Sequence, residues 1–191
     1  MPERLLGKVA IVTGAASGFG KAIATKFAAE GAQVVVADLS VEAGEIVAQL
    51  AGGGTFVRVD VTKRDQWEAL LEHTLDTYGR LDIVVNNAGA SYANKATELT
   101  TAEDVDLCFD VNVKSLYLST SVLLPYFLDN KRAGCFIQTA STAAIRPRPG
   151  LTWYNASKAA VVCATKTMAA EYGPKQIRFN CVSPVVGSTG M

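Results

Sequence analysis

Short apolar runs rich in β-branched residues alternate along the chain with longer segments whose apolar positions recur every three or four residues. Lys8 to Thr13 reads as a buried strand, Lys21 to Glu30 as a helix stopped at Gly31, and Gln33 to Ala37 as a second strand. Ser40 to Leu50 follows as a helix with a serine cap, ended by Gly52-Gly53-Gly54, and Thr55 to Val59 as a third strand. Thr62 and Asp65 pattern as a capping pair for a helix from Lys63 to Tyr78, which Gly79 terminates before a fourth strand, Leu81 to Val85. Ser91 to Leu99 has no period and reads as surface loop. Thr100 and Glu103 form another capping pair, opening a helix to Asp110; Val111 to Leu128 continues as a long apolar helix that Pro125 bends or ends. Gly134 to Ala140 is a fifth strand. Trp153 to Tyr172 is a helix apolar nearly all round, with one side for the sheet and the other free to meet a second subunit; Gly173-Pro174 stops it. Gln176 to Val182 is a sixth strand. Strands alternating with helices predict a single α/β domain over residues 1–191, a parallel sheet covered on both faces, with ligands at the carboxyl ends of the strands. Asp38, Asp60, Asn86 and Ser141 all fall at such ends.

Composition narrows the partners. The 191 residues, 49% hydrophobic, suffice for a substantial core. Eighteen basic and eighteen acidic residues cancel without forming blocks, which argues against a nucleic-acid or anionic-membrane footprint and for small molecules or other subunits. Cys108, Cys135, Cys163 and Cys181 lie apart inside apolar patterns, as buried free thiols do, which fits a reducing, cytoplasmic setting. Neither a leader pattern nor an apolar span of membrane length is evident. With His73 as the sole histidine, set in a charged helix pattern, neither a histidine metal centre nor a catalytic triad is expected, and no metal is predicted.

Candidate chemistry begins at Thr13-Gly14-Ala15-Ala16-Ser17-Gly18-Phe19-Gly20, a glycine-rich turn between strand and helix. Glycines there let the backbone approach a pyrophosphate, and the unpaired N–H groups of the helix start point at it. Asp38 ends the second strand roughly 20 residues on, where a dinucleotide fold places a ribose-binding carboxylate. Such a carboxylate accepts from the ribose hydroxyls and repels a 2′-phosphate, and Leu39 offers no compensating base, so NAD is favoured over NADP. Tyr154 and Lys158 stand one helical turn apart on one face, where an ammonium favours the ionised form of a neighbouring phenol. Ser141, after the fifth strand, could steady a substrate oxygen beside that phenol. Taken alone, Tyr, Ser and Lys at this spacing more often mark a solvated helix start. Asn112, a polar amide in an apolar helix, must find partners, whether structural or functional. Arg146-Pro147-Arg148-Pro149-Gly150 is a rigid basic loop that could reach an acidic substrate group, although exposed arginines beside prolines are common in plain loops.

Together, Thr13-Gly14, Gly18, Gly20, Asn86-Asn87-Ala88-Gly89, Asn112, Ser141 and Tyr154 with Lys158 resemble the motif series of the short-chain dehydrogenase/reductase family, in order and spacing, over the whole chain. The resemblance implies a Rossmann-type doubly wound sheet and hydride transfer between a nicotinamide and a secondary alcohol or ketone. By the same resemblance Tyr154 exchanges the proton and Ser141 hydrogen-bonds the substrate oxygen. Lys158 binds the nicotinamide ribose and acidifies Tyr154, and Asn112 holds a water in a proton relay. Dinucleotide contacts are implied for Gly14, Ser17, Gly18, Phe19 and Gly20, for Asp38 and Leu39, for Asp60 and Val61 at the adenine, and for Asn87, Ala88 and Gly89. Tyr154, Lys158, Pro184, Val186 and Thr189 complete the set near the nicotinamide. A homo-oligomer, tetramer or dimer, built on the helices from Val111 and Trp153 is also implied. Two departures stand out: Pro184-Val185 replaces the family's common Pro-Gly, and family members continue past position 191 through a substrate-covering loop, a helix and an edge strand. The sequence is therefore expected to be a fragment. A 3-oxoacyl-[acyl-carrier-protein] reductase and a non-catalytic NAD-binding protein are the competing readings, and the substrate itself is not legible.

Overall fold

A computed structural model describes residues 3–47, 50 and 53–185. Six parallel strands form one sheet in the order β3-β2-β1-β4-β5-β6: β1 Val9–Thr13, β2 Gln33–Asp38, β3 Gly54–Arg58, β4 Ile83–Asn86, β5 Gly134–Thr139 and β6 Ile177–Val182. The helices are α1 Gly18–Ala29, α2 Ala43–Val47, α3 Arg64–Tyr78, α4 Ala102–Phe109, α5 Ser115–Asp129 and α6 Thr152–Tyr172. Chain order reverses direction across the sheet between β1 and β4, and the crevice left outside the strand ends at such a reversal is where open α/β sheets bind ligands.

The central strands β1, β2 and β4 are buried on both faces and are therefore runs of Val, Ile and Ala, whereas the edge strand β6 alternates, with Ile177 and Phe179 buried and Arg178 and Asn180 exposed. On one face Ile11, Val35, Val84, Phe136 and Phe179 pack with Trp67 and Leu70 of α3 and with Leu118, Leu123 and Phe127 of α5. On the other, Val12, Val34, Val36 and Val85 pack against Ala24 and Ala28 of α1 and Ile46 of α2. Alanines suit α1 because small side chains let its backbone come close to the sheet.

Several local expectations shift. Of the helix expected over 40–50, residues Ala43–Val47 are helical and Ser40 spends its hydroxyl on Glu42 instead of capping it, while positions 48 and 49 and the expected stop at Gly52 lie outside the described residues. Thr62 does not cap α3; its N–H and hydroxyl both donate to Asp60 Oδ1, at 2.9 and 2.7 Å. The capping box of α4 is Thr101 with Asp104, one residue beyond the Thr100–Glu103 pair, because Lys95 Nζ holds Asp104 Oδ2 at 2.7 Å. Between α4 and α5 the helix loosens into a π-turn, Asp110–Lys114. Pro125 lies inside α5 without ending it, since Leu124 and Phe127 anchor that stretch in the core. The continuous helical segment Ala102–Asp129 is long and apolar enough to cross a membrane by length and composition, contrary to the expectation that no such span exists. Half of its most apolar stretch is buried inside the domain. All four thiols are free, but Cys163 is exposed on α6 and only Cys108 and Cys135 are buried. The long helix expected to be covered all round buries a single stripe, Asn155, Lys158, Val161 and Thr165 with Ser157 beside it.

Candidate active site

β1 ends in Thr13, whose hydroxyl accepts from Asn87 N and Ala88 N at 3.0 and 3.1 Å, tying the first strand to the segment after β4. The Asn87 amide donates to the carbonyls of Thr13 and Gly14, and its Oδ1 accepts from Thr139 on β5. Three strand ends are thus fixed around one asparagine. Gly14 turns the chain at φ +62°, and a Cβ there would meet Ala88 Cα at 2.8 Å. A Cβ on Gly20 would lie 2.0 Å from the Gly14 carbonyl oxygen, so α1 can sit on the turn only if that position is bare. Ser17 caps α1 without a side-chain hydrogen bond, and its first turn carries no acid, which leaves its N–H groups available to an anion.

These parts form one wall of a cleft of about 700 Å³ at the carboxyl end of the sheet. Gly14, Ser17, Gly18 and Phe19 line it beside Asn87, Ala88 and Gly89. At one end stands Asp38, whose Oδ2 accepts from Ala16 N at 2.8 Å and Oδ1 from Ser40 N at 3.0 Å. At the other end Ser141, Tyr154, Lys158 and Pro184 share the wall. A bare glycine cradle, an uncapped helix start and a carboxylate beyond it fit a dinucleotide with its pyrophosphate over α1 and a ribose at Asp38.

Lys158 is 4% exposed, with Nζ 5.9 Å from the centre of the Tyr154 ring and donating to Thr139 O at 2.8 Å. Burial lowers its pKa to about 8, so it remains mostly cationic at neutral pH. A Cβ on Gly89 would come within 3.2 Å of Nζ and 3.1 Å of Asn112 Oδ1, which explains a glycine there. Asn112, in the π-turn, has no side-chain hydrogen left to give: Nδ2 donates to Ala90 O at 2.9 Å and Ser157 Oγ at 3.0 Å, while Oδ1 accepts from Ala90 N at 2.9 Å. Ser157 Oγ in turn donates to Tyr154 O at 2.8 Å. Ser141 Oγ accepts from Ala143 N at 3.1 Å, leaving its own hydrogen for another acceptor.

Not every expected residue reaches the wall. Gly20 and Asn112 lie behind it; Leu39 is 58% exposed and outside it. Asp60 and Val61 are also off the wall. Val61 is buried in the core, and Asp60 receives Thr62. Although burial opposes it, those Thr62 bonds hold the Asp60 pKa below its ordinary value. Val186 and Thr189 lie outside the described residues. The sequence reading missed Ala16, Ser40 and Glu42 around Asp38 and Thr139 and Ala140 on the floor; Val185, within the expected stretch from Pro184 to Val186, does line it. It also missed Arg58, which pairs in register with Asp38 and donates from Nε to Leu39 O at 3.2 Å. Of these, only Ala16, inside the glycine turn, carried a sequence signal.

The model of the short chain dehydrogenase family matches residues 8–191. A 4-formylbenzenesulfonate dehydrogenase of Comamonas testosteroni is 42% identical over 188 residues, covering 96% of this chain and 74% of that protein. A borneol dehydrogenase of Lavandula x intermedia is 42% identical over 191 residues, 99% of this chain and 73% of its own. Among solved structures, a 3-ketoacyl-(acyl-carrier-protein) reductase of Brucella melitensis complexed with NADH superposes with a TM-score of 0.94 at 40% identity, over 97% of this chain and 78% of that one.

Proposed function

The chain belongs to the short-chain dehydrogenase/reductase family and is an oxidoreductase acting on CH–OH groups with a nicotinamide cofactor; from that premise we propose that it prefers NAD and interconverts a secondary alcohol and its ketone. The observation that carries this reading is the convergence of Ser141, Tyr154 and Lys158 on the cleft that also holds the glycine turn and Asp38.

The nicotinamide, when bound, supplies or takes the hydride. Tyr154 gives the proton to the substrate oxygen during reduction and takes it back during oxidation. Ser141, with one lone pair engaged by Ala143 N, donates its hydrogen to the same oxygen and orients it. Lys158 spends one of three N–H donors on Thr139 O and has two for the ribose hydroxyls and for a proton path. Its ammonium stands 5.9 Å from the centre of the Tyr154 ring, beside the negative charge that develops as the proton leaves. Asn112 acts as a brace: its amide clamps Ala90 to Ser157, which keeps Gly89 and Tyr154 at a fixed separation. Because the amide hydrogens are taken, a relay water would rest on backbone carbonyls near the π-turn rather than on this NH2 group.

Asp38 supports NAD, since each carboxylate oxygen retains acceptor capacity for a ribose hydroxyl and Glu42 adds a second negative charge to that end. The second reading, a 3-oxoacyl thioester reductase, draws support from the NADH-bound structure of that kind and from Arg148 at the cleft. We also propose a homo-oligomer, dimer or tetramer, formed through the exposed faces of α5 and α6, where Tyr117 and Trp153 are uncovered, and residence in the cytoplasm.

Tyr154→Phe tests the catalytic assignment. Removing the hydroxyl should lower kcat by about a hundredfold or more, while NADH still binds with its original affinity by fluorescence titration. A variant that keeps its turnover would remove Tyr154 from the acid–base role.

A further inference from the structure

Arg148 reaches the cleft from a loop built to hold it still. Proline precedes and follows it, and three consecutive carbonyls are tied down from outside. Asn155 Nδ2 donates to Arg148 O at 2.9 Å, Asn94 Nδ2 to Pro149 O at 3.0 Å, and Lys95 N to Gly150 O at 3.1 Å. Asn155 follows Tyr154 directly in α6, so the arginine backbone is fastened to the turn that carries the phenol. The guanidinium itself is exposed. Among the described residues, Nη2 donates to Val185 O at 3.1 Å, and no carboxylate lies within salt-bridge distance. Four of its five N–H donors are without a protein acceptor there.

The charges lining the cleft are segregated. Both carboxylates, Asp38 and Glu42, belong to the ribose end, whereas Arg148 and Lys158 belong to the end with Ser141 and Tyr154. Lys158 is buried, with one donor on Thr139 O and the others turned to the nicotinamide ribose, so the positive charge of the lining left for a substrate is Arg148.

We propose that Arg148 is a substrate-recognition residue that binds an anionic oxyacid group, a carboxylate or sulfonate, carried by the hydroxy or oxo substrate at a distance from the reacting carbon. This rests on the reading of Tyr154 as the proton-transfer group and deepens it. A planar fork of N–H donors matches a two-oxygen anion bidentately, and holding the far end of the substrate fixes the angle at which its carbonyl meets Tyr154 and Ser141. A wholly neutral, apolar substrate would leave the guanidinium without a partner.

The test uses two matched ketones, 4-acetylbenzoate and its methyl ester, assayed with NADH and, separately, titrated calorimetrically into the NAD-loaded chain. The parent should favour the charged ketone by roughly tenfold or more, in both kcat/KM and dissociation constant. Arg148→Met should reduce that ratio to about twofold or less through KM, leave NADH affinity unchanged, and remove the weakening by salt. Arg148→Lys should restore part of the preference, because an ammonium keeps the charge without the fork. A parent chain that binds both ketones equally, or neither, overturns the proposal whether or not turnover is seen. An Arg148→Met loss that falls on NADH overturns it as well. Arg148-dependent binding of the charged ketone without any turnover overturns Tyr154 as proton donor to a ketone so held and leaves the anion assignment standing.

Discussion

Asp38 is held by two backbone N–H groups, Ala16 from the glycine turn and Ser40 from its own loop, so its carboxylate is aimed before any ligand arrives. Charge of the same sign from Glu42 lies on the same wall. Opposing both is Arg58, exposed on β3 and within reach of Leu39 O. Two carboxylates lining the cleft outweigh one guanidinium outside it, so NADH should bind more tightly than NADPH. Asp38→Ala should reduce that discrimination about tenfold or more, by removing both the ribose acceptor and the repulsion; competitive titration with the two cofactors measures it, and equal affinities in the parent would remove the argument. At this scale the sequence disclosed identities more readily than partners. The position of Asp38 at the end of β2 was legible because strand, glycine turn and helix set the distance; Arg58 was not, because it is distant in sequence and adjacent only through strand register. Asn112 was equally ambiguous until its three hydrogen bonds were seen.

Elements were legible where a single period or a single punctuating residue decided them. β1, β2, β5 and α6 lie within two residues of expectation. Errors gathered where neighbouring residues offered the same chemistry: Thr100-Thr101 followed by Glu103-Asp104 permits two capping registers, and the ion pair from Lys95 selects the second. The π-turn at Asp110–Lys114 has no period of its own, and it depends on packing on either side. The tightest element is the join of β1 to α1. Gly20→Ala would drive a methyl, fixed to the helix backbone, into the Gly14 carbonyl, which cannot be relieved by a rotamer change. We expect a loss of about 2–3 kcal/mol in stability, near the upper part of the usual range for overpacking. NADH affinity should fall in parallel as α1 moves off the turn. Thermal unfolding and NADH titration of the same variant measure both; unchanged values would show that α1 is not seated as described.

Across the whole molecule, the sheet is held between two apolar layers, and charged side chains fasten its periphery. Glu30, at the end of α1, receives Arg4 Nη2 at 2.9 Å and Lys26 Nζ at 2.8 Å. Arg4, then Lys26, hold its pKa down to about 2 against an ordinary value of 4.5, while burial acts in the other direction. A carboxylate depressed in the folded state adds stability above its unfolded pKa, and that stability disappears as pH falls through the folded value. The parent should therefore lose an increment of stability between about pH 4.5 and about pH 2 that Glu30→Gln lacks. Midpoints measured at pH 7, 4 and 2.5 should show the variant less stable at pH 7 and converging with the parent at the acid end; a constant gap would assign the residue's contribution to packing instead. Asp82, buried between Arg80 and Val9 N, is also depressed despite the cost of burial and contributes in the same direction in both proteins.

By itself the amino-acid order determined the alternation of strands and helices, the glycine turn, the carboxylate that ends β2 and the Tyr-Lys pair, because each depends on spacing within a few turns of chain. Folding decided which of these face one cleft, which lie behind it and which are spent on other bonds, because those relations are set by strand register and helix packing between residues far apart in sequence. Arg148 illustrates the division: its type and flanking prolines were visible from the start, whereas its place beside Tyr154 arises only when Asn94, Lys95 and Asn155 close around the loop.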